Sequence, residues 1–354
     1  MIRVTIRQFR AEAVVVVGVL LVLAIVLVVS GVNLVNVNDA FQSTCKAAGN
    51  CATATNPVVN ADKPLQSALQ IIVAIAPALV GLFLGAPLIA RELETGTFRI
   101  AWTQSVTRKR WLAVKLGVVG VVAMAFGGLL TWMVYWWASP IDAANQNRFG
   151  LASFGLHGVA PIGYAAFAFA LGATAGVLLR RTIAAMAVTG VGFAAARLAV
   201  TYWVRPNLAS PVHESLKLNA SSAIPSFGFG SGNGNGVVLT PPHVTIPNAW
   251  VYATAVVDKA GHGPTSHIIG QACPAIGQFS KELGASGGRP VAAGPGPAQM
   301  QACIGKLSAT YHTVLTYQPA SRFWPFQWAE MGIFLAAALA LCGLTYWWLR
   351  RRYA

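Results

Sequence analysis

Residues 91–111 read RELETGTFRIAWTQSVTRKRW, and the placement of this segment decides the fold. It is charged, and it separates two long apolar runs, 65–90 and 112–138. Each run exceeds the roughly 20 residues a helix needs to cross the hydrocarbon core of a bilayer. Two such runs joined by a short charged segment make a helical hairpin through a membrane. Only ten acidic residues occur in the whole chain, yet Glu92 and Glu94 place two of them here.

Working outward, four more apolar runs follow the same rule: 13–32, 159–179, 183–204 and 327–349. Apolar residues make up 55% of the chain and charged residues 10%, against roughly 25% charged in a soluble globular domain. The fold class expected is therefore an all-α polytopic membrane protein with six transmembrane helices. Arg3, Arg7 and Arg10 precede the first run as they would a secretory signal. Its apolar core is about twice the usual 7–15 residues, and no small-x-small cleavage site follows, so it reads as an uncleaved helix.

The net charge of +15 does not point to nucleic acid, because the basic residues are not gathered into one patch. They fall before run one, between runs two and three, between four and five (Arg180, Arg181), and after six (Arg350, Arg351, Arg352). This alternation is the positive-inside pattern of a lipid bilayer protein. It predicts both termini and 91–111 in the cytoplasm, with 33–64, 139–158 and 205–326 outside. The chain then divides into 1–204 with five helices, an extracellular domain at 205–326, and 327–354 with the sixth helix and a basic tail.

Within 205–326 the Gly-rich 226–236 cannot hold one conformation cheaply. Residues 244–258, VTIPNAWVYATAVVD, suggest a strand pair, and 264–283 and 297–315 read as helical stretches. A small α/β or mainly helical domain is expected. Cys45 and Cys51 share one outer segment and Cys273 and Cys303 another, while Cys342 lies within run six. An oxidising exterior makes disulfides plausible. Cys45–Cys51 with Cys273–Cys303 is the simplest of three connectivities, and free thiols are the alternative.

Arg197 and Glu330 stand inside apolar runs. Arg197 lies in run five, where an arginine costs about 3 kcal/mol and needs a partner or water. Glu330 enters run six from the same side and is the expected partner. Contact of Arg197 with a substrate, and snorkelling to the surface, are the other readings. The six histidines border outer segments at spacings that fit no compact metal motif, and are read as ordinary surface residues. Trp132, Tyr135, Trp136 and Trp137 suggest an interfacial belt. Gly172-x-x-x-Gly176 allows close helix contact, within one chain or at a dimer seam. No phosphate-binding loop, metalloprotease motif or nucleophile elbow occurs.

In the charged segment, Gly96 interrupts a helical pattern, and Ser105 or Thr107 is placed to cap a third helix starting near Arg108. The sequence Glu92-Leu-Glu94-Thr-Gly96-Thr97, followed by Arg108 and Lys115, resembles the E-x-G-T…R…K signature of ABC-2 type transporter permeases, nearest to their actinobacterial branch. Residues 317–330, YQPASRFWPFQWAE, resemble the lead into the last helix of that branch. The resemblance implies a permease of the bacterial cytoplasmic membrane, an exporter by family, with no cofactor of its own. ATP and Mg would be handled by a separate cytoplasmic ABC ATPase subunit. A second permease copy or paralogue would complete a homo- or heterodimer. Glu92, Glu94, Gly96 and Thr97 would form the ATPase-coupling element, with Arg108 and Arg110 beside it at the membrane surface. The alternative is a membrane-anchored sensor or assembly module acting through 205–326.

Overall fold

The computed structural model describes residues 10–48, 56–95, 108–150, 153–155, 157–218, 225–229, 237–242, 244, 246–285 and 294–352. Six helical segments among them are long and apolar enough to cross a membrane: Val17–Ala48, Lys63–Glu92, Ala113–Asn145, Ala160–Leu179, Thr182–Asn207 and Ala320–Arg351. The chain forms two compact units, Met1–Ala209 with Ser321–Ala354, and Ser210–Ala320.

The first unit is helical. Helix α1 is Arg10–Ala48. The second span begins as α2, Lys63–Leu79, passes through a π-helical turn at Val80–Gly85, and continues as α3, Ala86–Thr95. Then come α4, Arg108–Asn145, α5, Ala160–Leu179, and α6, Thr182–Ala199. The fifth span extends through a second π-helical segment, Val200–Val204, into a 3₁₀ turn, Arg205–Asn207. Two helices run past their expected ends. Helix α1 continues well beyond residue 32, and α4 continues through Pro140, so residues 139–145 are helical rather than loop. Trp137 is buried there instead of joining a belt, and its indole donates to the Ser30 hydroxyl at 2.8 Å, tying α4 to α1.

Helix α5 is buried on nearly every side. A helix that is apolar all round sits at the centre of its bundle, and α5 packs against the second, third, fifth and sixth spans. Its glycines permit this. A Cβ on Gly172 would stand 2.3 Å from the Gly81 carbonyl oxygen and 2.7 Å from the Ala86 nitrogen, and one on Gly176 would stand 2.7 Å from the Ala86 oxygen. The small-residue pair thus forms a seam within the chain. The last helix of this unit, Phe323–Arg352, is joined to α5 by the Thr174 and Thr345 hydroxyls at 2.9 Å. Exposed Val29, Ile183 and Leu339 suit contact with lipid.

The second unit holds a three-stranded antiparallel sheet of β1 (Val212–Lys217), β5 (His312–Gln318) and β4 (Trp250–Val257), in the order β1-β5-β4. A separate hairpin pairs β2 (Ser226–Phe229) with β3 (Val237–Thr240). Helices α7 (Ser266–Ala272), α8 (Pro274–Ala285) and α9 (Pro297–Leu307) pack on Leu218, Leu239, Val256 and Tyr311. Residues 244–258 contain one strand, not a pair. Its partner, β5, belongs to the stretch read as helical, which ends as a helix at Leu307. The 264–283 stretch is broken at Cys273, because Pro274 lacks an N–H and starts a new helix. Beyond β5, α10 is Phe323–Arg352.

Cys273 and Cys303 are disulfide-bonded, with Cα atoms 5.1 Å apart. The bond closes a segment spanning 30 positions, which in the chain-entropy account corresponds to about 3–4 kcal/mol. Replacing both by serine is expected to destabilise this unit by that amount, read as an earlier denaturant midpoint for cleavage between 210 and 320 in pulse proteolysis. An unchanged midpoint would mean the bond is not stabilising. Cys45 is also disulfide-bonded, while Cys51 lies outside the described residues. Cys342 is a free thiol in α10.

Candidate functional site

Two polar clusters lie within the helical unit. The first surrounds Glu330, which is completely buried on α10. Arg205 meets it with a fork: Nε donates to Oε2 and Nη2 to Oε1, both at 3.0 Å. The Tyr164 hydroxyl, from α5, also donates to Oε1. The Arg205 guanidinium lies 4.0 Å above the Phe154 ring. The contact expected between Arg197 and Glu330 is present but weaker, with Nη1 at 3.5 Å from Oε1 and no hydrogen bond to that nitrogen. Arg197 instead lays its guanidinium 3.8 Å over the Tyr164 ring, a cation–π contact that strengthens when desolvated.

This hub is locally braced. One turn before Glu330, Gln327 donates from Nε2 to the Phe154 carbonyl at 2.8 Å and accepts from the Ala160 N–H at 3.0 Å, satisfying the start of α5. Gly158 takes a positive φ of 86° beside it, where a Cβ would stand 2.8 Å from the Gln327 side chain. Only glycine adopts this turn without strain.

The second cluster lies where the second span ends. Lys115 of α4, buried within the apolar helix, forms an ion pair with Glu92. Glu94 accepts from the Thr182 N–H at 3.2 Å and from its hydroxyl at 2.8 Å. It thereby caps α6 and faces the positive end of its dipole. The Thr182 hydroxyl first, then the Thr182 N–H, hold the Glu94 carboxyl below the usual carboxylate range, with Arg181 adding to them. Glu94 is therefore charged at neutral pH, and the cap is lost only on acidification through that lowered value.

The two acids thus act within the chain, linking the end of span two to spans three and five. Gly96 and Thr97 lie outside the described residues, as do Ser105 and Thr107. Arg108 and Arg110 lie in the first turn of α4. Lys115 entered the sequence reading only through the motif, although a lysine amid AVKLGVV is itself a signal. Arg205, Tyr164 and Thr182 were missed. Arg205 follows the end of its apolar run, and the other two are ordinary residues at helix positions. Among the described residues, no three His, Cys, Asp or Glu side chains are grouped to hold a metal ion.

Six membrane-length helices, with ionic groups held inside them and a small strand-containing domain before the last, define a multi-pass helical membrane protein. Residues 17–205, more than half of the chain, match the ABC-2 membrane transporter related family, and the chain belongs to that family. It is thus the permease component of an ABC transporter, a transport component rather than a hydrolase. Its family implies association with an ABC ATPase. No curated protein and no solved structure matches the chain.

Proposed function

We propose that this permease exports a hydrophobic or amphipathic substrate across the bacterial cytoplasmic membrane, as a homo- or heterodimer, with both termini in the cytoplasm. A separate ATPase, which binds ATP and Mg, docks at the 91–111 segment. The observation carrying this reading is the cross-tie of Glu92 to Lys115 and Glu94 to Thr182. Segment 96–107 joins α3 to α4 along the chain, and α3 is also held to α6. A push on that segment therefore reaches three spans together.

The test is purification of the tagged full chain from its native membranes, followed by measurement of bound ATPase activity and ATP-driven export. Glu92→Ala alone leaves Lys115 buried without its carboxylate, and breaking such a pair costs about 3–5 kcal/mol, so it disturbs folding as well as coupling. Replacing the pair by Glu92→Leu with Lys115→Met removes both charges at little cost in stability. Combined with Glu94→Ala, it is expected to leave the ATPase bound and hydrolysing while export falls about tenfold or more, a coupling loss of about 1.4 kcal/mol. Export that keeps pace with hydrolysis in this triple variant would overturn the coupling role. Absence of any co-purifying ATPase would overturn the wider reading.

A further inference from the structure

A cavity of about 420 Å³ opens beside the start of α2 and the end of α4, at the end of span two opposite Glu92. Its size falls within the roughly 300–1,000 Å³ of small-molecule sites. At its wall sits His157, which is buried, not the surface histidine expected from its place in the sequence. The ring is fixed on three sides. Nδ1 is 2.6 Å from the Ser153 carbonyl oxygen, Nε2 is 2.6 Å from Asp142 Oδ2, and the Tyr135 ring meets it edge-on at 5.8 Å.

A carbonyl oxygen only accepts, so Nδ1 carries a proton and donates. Nε2 faces Asp142 Oδ2 at 2.6 Å, outside hydrogen-bond alignment, and since two bare acceptors would repel at that distance, one proton resides on either Nε2 or Asp142. In both forms the pair carries no net charge. No other ionisable side chain lines the cavity among the described residues. An anion therefore finds no uncompensated cation there, and a cation finds no uncompensated carboxylate. What the cavity offers is a polar wall and an apolar wall. Gln70, Asn145 and Asn147 present side-chain amides with both donors and acceptors, while Leu69, Val134 and Ile141 form the other side.

From this we infer that the cavity is a binding site for a neutral, hydroxyl-rich group, a glycosyl or polyol moiety. Planar amides pair with neighbouring hydroxyls as donor and acceptor together, and the apolar wall suits the C–H face of a sugar ring. The group would come either as a free sugar from water or as the head of a glycolipid from the bilayer. The site stands whether or not the transport reading holds.

The full chain is purified in lauryldimethylamine oxide, since sugar-headed detergents would compete, and placed in nanodiscs of phosphatidylethanolamine and phosphatidylglycerol. The probes are methyl α-glucoside in solution and monoglucosyl diacylglycerol in the nanodisc. Inorganic phosphate and choline are the charged comparisons. The readouts are equilibrium binding and amide hydrogen exchange across 134–157. At least one glucosyl probe is expected to bind and to slow exchange there. Gln70→Leu with Asn145→Leu, both exposed positions, is expected to weaken that binding about tenfold or more, since two amide hydrogen-bonding partners are lost, with the thermal midpoint unchanged. Binding of the free sugar assigns entry from water, and binding of the glycolipid alone assigns entry from the bilayer. Binding of neither, binding unaltered in the double variant, or tighter binding of phosphate or choline overturns the proposal.

Discussion

Glu330→Ala is expected to take away a large share of the stability of the folded membrane unit. The substitution leaves Arg205, which is 1% exposed, and Arg197 facing one another with no carboxylate between them. Breaking a buried ion pair from one side costs about 3–5 kcal/mol, a large share of the roughly 5–15 kcal/mol that holds a domain together. The two arginines should not behave alike. Arg205→Leu removes the fork at 3.0 Å and leaves Glu330 with the 3.5 Å contact to Arg197, so an intermediate loss is expected. Arg197→Leu removes the second cation from a site with one carboxylate and is expected to be near neutral or stabilising. Thermal midpoints of the purified variants in micelles, read by the monodisperse fraction, give the ranking. Equal losses for the two arginines would show that Arg205 is not the main counter-charge.

Gly172→Val should be nearly as damaging by an unrelated route. Its Cβ alone would overlap backbone atoms of Gly81 and Ala86, and a helix backbone cannot rotate away as a side chain can. Overpacking of a tight contact costs about 1–3 kcal/mol where neighbours can shift. Here α5 is held by four spans, and the upper end or beyond is expected. Gly117→Ala in α4 is the matched control, since nothing lies within 4 Å of its added Cβ. It should be neutral or gain up to about 1 kcal/mol from helix propensity. A Gly172→Val protein as stable as Gly117→Ala would mean the seam is looser than described.

The six spans were legible because a bilayer demands long apolar runs, a signal that tertiary context does not erase. Glu330 and Arg197 were legible for the same reason: a charge inside such a run is conspicuous. The principal partner was not. Arg205 lies just past the apolar run, and its burial depends on Phe154, which comes from a distant segment of sequence. The partners of Glu92 and Glu94 lie 23 and 88 positions away, and neither Lys115 nor Thr182 has a fixed spacing to the acids. His157 shows the same limit, since only the fold reveals that Asp142 and the Ser153 carbonyl lie against its ring. In the 210–320 unit, β5 was hidden because seven residues following a helix carry too short an alternation to overrule the helical reading before them. The Cys273–Cys303 pair needed only a shared segment, and it is present.

The wide π-helical turns at Val80–Gly85 and Val200–Val204 have a consequence for everything beyond them. A π-turn accommodates one residue more than an α-turn, and one residue is about 100° of rotation about the helix axis. Glu92 and Glu94 lie past the first turn and Arg205 past the second, so each is aimed by a single surplus residue. Shortening either turn by one residue would restore an unbroken helix and swivel those side chains away from Lys115, Thr182 and Glu330. Sliding the surplus residue along the span would turn the intervening part by the same angle while the backbone stayed hydrogen-bonded. The two spans that carry Glu92, Glu94 and Arg205 are therefore each offset by one residue at a π-turn, and they are the same two spans that Glu94 fastens together.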